Sequence, residues 1–176
     1  MEITFHGHKA RLAGCPLQKG DYAPEVMLIN KTLKGEIIGG AKDYVQIIST
    51  LPSLDTGVCA TEAREFNKRA ASLKGAKIFV VSVDTPFAQG RFCSTEGISN
   101  LEVLSDFADK DFGKTYGLIL RTSPIKGALT RAVYVVNKEG SIVYSEICKE
   151  TTDEPDYEAA IAAATKATHG EGCGCK

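Results

Sequence analysis

The spacing of apolar and polar positions changes several times along the 176-residue chain, and each change predicts an element. EITFHGHKARL (2–12) breaks at His6-Gly7-His8 and reads as a short hairpin with glycine in its turn. LQKGDYAPEVMLIN (17–30) runs irregularly into a short strand, with Ala23 pushed toward extended backbone by Pro24. DYVQIIS (43–49) is a β-rich apolar run with the length of a central strand, and it leads into PSLDTGVC (52–59). Beyond Cys59 the period lengthens: Ala63, Phe66, Ala70 and Leu73 fall at helical spacing. AKIFVVSVD (76–84) is a continuous β-branched run, as in a strand covered on both faces.

TPFAQGRFCSTEG (85–97) predicts a short helix, with Pro86 suited to its first turn and Gly97 to its end. LEVLSD (101–106) is a short strand and DKDFGKTYGL (109–118) a brief helix or turn. LTRAVYVVNKEGSIVYSEI (129–147) is a hairpin around Asn137-Lys138-Glu139-Gly140, and DYEAAIAAATKAT (156–168) an Ala-rich terminal helix. Strands alternating with helices, followed by an antiparallel pair, predict a mixed central sheet with helices on both faces: an α/β, thioredoxin-like fold with an N-terminal β-hairpin. Residues 1–168 are expected to form one domain and residues 169–176, HGEGCGCK, a flexible Gly/Cys tail.

Composition narrows the function. The net charge is −1 and the lysines and arginines are scattered, so no basic track exists for nucleic acid or an anionic membrane. No window reaches the ~18 apolar residues of a membrane helix. The first residues carry an acid at position 2 and no apolar stretch, so the expected location is cytoplasmic. In such a reducing compartment the six cysteines (Cys15, Cys59, Cys93, Cys148, Cys173, Cys175) are expected as thiols or transient, chemical disulfides.

Cys59 stands apart because it lies where a strand ends and a helix begins. The free N–H groups and positive dipole end of a first helical turn favour thiolate, which is the nucleophilic form. Asp55 or Thr56 is placed to cap the helix, and Gly57 lets a ligand approach the backbone. No histidine or second cysteine lies within ten residues of Cys59, which argues against a CxxC redox pair. Arg131 is a charge inside the otherwise apolar strand ALTRAVYVV, an expensive placement without a partner.

With those residues in view, PSLDTGVC resembles the PxxxTxxC motif of peroxiredoxins, and together with PFAQGRFC the chain resembles the bacterial thiol peroxidases, the atypical two-cysteine members of that family. The resemblance runs over about residues 3–165. It implies a catalytic set: Cys59 as the peroxidatic cysteine, Cys93 as the resolving cysteine that closes an intramolecular disulfide with it, Thr56 as a hydroxyl contacting thiolate and peroxide, Arg131 as their electrostatic anchor and Pro52 as a shield against water. It implies reduction of hydrogen peroxide and organic hydroperoxides, thioredoxin as reductant, a homodimer, and no haem, flavin or metal.

The chain departs from the family where Gly57 stands in place of a frequent proline, which predicts a looser turn. A disulfide needs Cα atoms within about 7 Å. Because Cys93 falls on a different predicted helix, flanked by Gly90 and Gly97, local unwinding of its segment is expected during turnover. Two other readings use the same residues: a peroxide sensor passing its disulfide to a partner protein, and a non-enzymatic module whose Cys173-Gly-Cys175 tail binds a soft metal. Cys148 reads as a sheet residue, Cys15 as an exposed loop residue, and His6 and His8 as a surface pair.

Overall fold

The computed structural model describes residues 2–169. In chain order the elements are β1 (Ile3–Phe5), β2 (His8–Leu12), β3 (Val26–Asn30), β4 (Gly35–Ile38), β5 (Val45–Thr50), α1 (Gly57–Ala70), β6 (Ala76–Ser82), α2 (Pro86–Glu96), β7 (Glu102–Ser105), α3 (Asp111–Thr115), β8 (Leu120–Thr122), β9 (Ala132–Val136), β10 (Ile142–Ile147) and α4 (Tyr157–His169). Seven strands form one mixed sheet in the order β10-β9-β5-β6-β7-β3-β4. Its centre is the parallel trio β5-β6-β7, for which α1 and α2 supply the crossovers. Antiparallel strands flank the trio on both sides, so the expected mixed α/β sandwich is the observed one.

The period-2 alternation of the strands divides the core. Val45, Ile47, Ile78, Val80, Val133 and Val135 face α1, α2 and α4, meeting Ala63 and Phe66, Phe92 and Cys93, and Ala160 and Ala164. Ile48, Phe79, Val81 and Tyr134 point to the other face, where α3 contributes Phe112 and its C-cap Tyr116. Small residues on α4 let that helix lie close across β5, β9 and β10.

Two strands were absent from the predicted elements. β4 is an edge strand whose GEII residues are half exposed, so its apolar content is too low to register as a period. β8 spans three residues and leaves the main sheet altogether, completing a small sheet β1-β2-β8. The N-terminal hairpin itself forms as expected, with His6 and Gly7 both at positive φ (50° and 75°) in its turn. Gly7 takes that conformation without strain, which is why the break falls there. Among the described residues, no helix is long and apolar enough to cross a membrane.

Glu150 ties this hairpin to the body. One carboxylate oxygen accepts the His6 N–H (3.0 Å) and the Thr152 N–H (3.1 Å); the other accepts the Gly7 N–H (2.9 Å) and the Thr4 hydroxyl (2.7 Å). Burial alone would raise the pKa, but these donors outweigh it and lower it from 4.5 to about 2. A depressed carboxylate stabilises the fold fully above its unfolded value and loses that contribution as pH falls through the folded one. Glu150→Gln should therefore cost about 1 kcal/mol at pH 7, a drop of roughly 2–4 °C in Tm. Melts at decreasing pH check this: the gap between the two proteins should close between pH 4.5 and about 2.

Candidate active site

The central strand β5 ends at Thr50, and the chain turns through the buried Pro52 into the first turn of α1. Thr56 caps that helix in extended conformation (φ −98°, ψ 147°): its Oγ1 accepts the Cys59 N–H at 3.4 Å and donates to the Ser53 carbonyl at 3.2 Å. Of the two cap candidates the structure selects Thr56. Cys59 is thus the third residue of the helix, inside the turn whose N–H groups lack helical acceptors.

The same alternation that builds the core delivers the partners of Cys59. Ser49 continues the Val45-Ile47 face of β5, and Arg131 the Val133-Val135 face, so both side chains enter the layer beneath α1. Arg131 Nη2 lies 3.2 Å from Cys59 Sγ. Arg131 Nη1 donates to Glu62 Oε2, the Ser49 hydroxyl donates to Glu62 Oε1, and Arg131 Nε donates to the Thr151 carbonyl at 2.9 Å. Arg131 and Cys59 are each 1% exposed and Glu62 0%. Three of the five guanidinium N–H donors are therefore engaged, by a carboxylate, a carbonyl and a sulfur.

Four of the five candidates, Cys59, Thr56, Arg131 and Pro52, gather at this junction, whereas Cys93 sits apart on α2. Cys93 is 5% exposed and its thiol is unbonded to Cys59. Burial raises its pKa above the usual thiol range, against the opposing charge of Lys31. α2 forms as its sequence predicts, with Pro86 opening it and Gly97 in left-handed conformation (φ 67°) closing it onto the Cys93 carbonyl; the structure adds Thr85 as its cap. A cleft of ≈ 260 Å³ opens between the two cysteine-bearing helices, bordered by Leu54, Thr56, Gly57 and Ala60 on one side and Arg91 and Phe92 on the other. A larger groove, ≈ 820 Å³, lies between α4 and the β9–β10 turn and holds none of the candidates.

Sequence reasoning missed Glu62 and Ser49. The signal was present: Cys59, Glu62, Ala63 and Phe66 form one helical stripe, so Glu62 is a carboxylate within an apolar face. Cys148, expected as a sheet residue, directly follows β10 and continues its ladder by donating its N–H to the Arg131 carbonyl (3.0 Å). Burial pushes its thiol up to about 12. Cys15 and the His6/His8 pair are exposed, as expected. The Cys173-Gly-Cys175 pair lies outside the described residues.

The Redoxin family model matches residues 18–161. A thiol peroxidase of Campylobacter jejuni is 49% identical over 173 residues, 98% of each chain, and one of Aquifex aeolicus is 44% identical over 159 residues, 90% of this chain and 94% of its own. Among solved structures, a peroxiredoxin-like protein from Aquifex aeolicus superposes with a TM-score of 0.90 at 42% identity, covering 93% of this chain and 95% of that one. A thiol peroxidase from Chromobacterium violaceum gives 0.82 at 25% identity, covering 90% and 92%.

Gly57 tests the rigidity of the Cys59 turn. It is the first residue of α1, its N–H belongs to the unpaired set of a helix start, and a Cβ there meets nothing within 4 Å. The extended backbone of Thr56 suits a following proline. Gly57→Pro should stabilise the protein by about 0.5–1 kcal/mol through the unfolded chain, seen as a rise of roughly 1–4 °C in Tm.

Proposed function

The chain belongs to the Redoxin family and, within it, to the thiol peroxidases, and from that premise we propose that it reduces hydrogen peroxide and organic hydroperoxides at Cys59. The observation that carries the reading is the Arg131 guanidinium 3.2 Å from a sulfur held in the first turn of a capped helix. The Cys59 thiolate attacks one peroxide oxygen; the O–O bond breaks, and the departing alkoxide takes a proton to leave as alcohol or water. Cys59 becomes a sulfenic acid. Negative charge moves onto the leaving oxygen as the bond stretches, and a fixed guanidinium beside it lowers the barrier more than it stabilises the ground state. Thr56 supplies a hydroxyl at the same turn, which can donate to sulfur or peroxide once it rotates from the Ser53 carbonyl. Pro52, buried at the end of β5, limits water.

Cys93 resolves the sulfenic acid: its thiol displaces the hydroxyl as water and forms the Cys59–Cys93 disulfide. Both cysteines start on separate ordered helices, so α2 unwinds for this step. Its unwinding also frees Cys93 from the burial that holds its proton. Thioredoxin is the reductant, returning both thiols by exchange through a mixed disulfide, and the protein works in the cytoplasm. It does so as a homodimer: Phe87 and Phe107, both exposed, follow β6 and β7 at the sheet end where Cys59 lies and offer apolar surface to a second copy. Sedimentation should return twice the 18.8 kDa chain mass.

Cys59→Ser should abolish peroxide consumption. Cys93→Ser should keep one rapid turnover with peroxide, lose thioredoxin-dependent recycling by at least two orders of magnitude, and drift to sulfinic acid when peroxide is in excess. Coupled thioredoxin turnover and intact-protein mass check both; undiminished recycling in Cys93→Ser removes the resolving role.

A further inference from the structure

The Cys59 loop and the Cys93 helix are joined by a continuous hydrogen-bonded chain outside the catalytic set, buried at its α2 end and part-buried where it reaches the loop. On α2, Gln89 lies one turn before Cys93 and is 0% exposed. Its Nε2 donates to the Ser82 hydroxyl (3.1 Å) and to the Leu104 carbonyl (2.9 Å). The Ser82 hydroxyl donates in turn to Asp84 Oδ2 (2.7 Å). Asp84 Oδ2 also accepts the Leu54 N–H (2.8 Å), and its Oδ1 accepts the Ser53 hydroxyl (2.7 Å). Ser53 in turn holds Thr56, the cap of the Cys59 helix, through its carbonyl.

The donor and acceptor count leaves this chain little slack. Ser82 has one proton and gives it to Asp84, so it can only accept from Gln89. Asp84 is an acceptor for three donors, a role an amide cannot fill on both oxygens. Gln89 Oε1 is buried without a partner, so α2 already carries an unsatisfied carbonyl that gains hydrogen bonds to water when the helix opens. Two further polar links lie outside this chain: Arg91 with Asp55 at 3.4 Å, exposed and contributing little, and Arg64 with Glu96 at 2.8 Å, which joins α1 to the last residue of α2 and does not touch the 53–58 loop.

We propose that Gln89, Ser82 and Asp84 form a latch that makes the Cys59 loop and the Cys93 helix open as one unit. Asp84 and Gln89 are positioning residues: they set when the two sulfurs can meet. The latch rests on the disulfide reading for its purpose, but its mechanical content is measurable in the reduced protein without peroxide.

The experiment is hydrogen exchange of reduced wild type, Asp84→Asn and Gln89→Met. Cutting the loop end with Asp84→Asn should speed exchange about tenfold or more both at 53–58 and across 86–96. Gln89→Met, cut at the helix end, should speed exchange at 53–58 as well as in α2. The β9 amides, 132–136, should be unchanged, which separates the latch from general destabilisation. After one addition of peroxide, Asp84→Asn should form the disulfide faster and yield less Cys59 sulfinic acid. Faster exchange confined to the mutated segment overturns the latch, as does equal acceleration in β9. If Asp84→Asn does not fold, Ser53→Ala, which removes the bond to Asp84 and the exposed bond from the Asp55 N–H, replaces it: no acceleration in 86–96 overturns the latch equally. Wild type that consumes no peroxide while showing the coupled exchange would instead remove the peroxidase reading and leave the latch standing.

Discussion

A guanidinium with almost no access to water organises this protein. Arg131 divides its donors among Glu62, the Thr151 carbonyl and the Cys59 sulfur. A buried ion is tolerable only when paired and hydrogen-bonded, and removing one partner of such a pair costs about 3–5 kcal/mol. The arrangement therefore depends on the packing around it. β5 and β9 must pair in register, α1 must lie over them, and Glu62 must face the same layer as Cys59. The carboxylate neutralises the arginine, Ser49 orients the carboxylate, and one face of the fork remains for the sulfur. That distribution explains how a cation can be kept beside a sulfur inside the core without unfolding it.

The proposed mechanism places opposite structural demands on the two cysteines. Attack on a peroxide calls for a rigid Cys59 turn, with its cap, its backbone and its guanidinium already in place, because preorganised donors need no reorganisation at the moment of reaction. Disulfide closure calls for the reverse, since two buried sulfurs on separate helices must be brought into bonding geometry. The fold meets the first demand with α1, which carries a side-chain cap and cationic residues Lys68 and Arg69 at its far end. It meets the second with α2, a shorter helix that contains Gly90 and stops at Gly97, whose buried Gln89 has an unpartnered carbonyl. Glycine lowers helix stability by about 1 kcal/mol relative to alanine, so α2 is the weaker of the two.

Much of this was legible locally. Turn chemistry at His6-Gly7 and Asn137–Gly140, the continuous apolar run of β6, and the Pro86 and Gly97 punctuation of α2 each act within a few residues, and all appear as expected. β4 and β8 were not legible, because a half-exposed edge strand and a three-residue strand in a separate sheet leave no period to detect. Arg131 and Glu62 are informative in a different way. Each is an anomaly in its own segment, a charge on an apolar face, and the two anomalies cancel only when seen together.

The sequence alone determined which segments would be helix and strand, β4 and β8 apart, that Cys59 would stand at a helix start, and that Arg131 would need a partner. Those properties follow from short-range periodicity, capping and the cost of an unpaired charge. Tertiary structure alone decided that the partner is Glu62, 69 residues away, that the spare donor reaches a sulfur 72 residues away, and that Cys93 begins buried. Such distances are set by which strands pair and which face each helix covers, and no local pattern encodes the separation of two side chains whose strands and helices meet only in the assembled sheet.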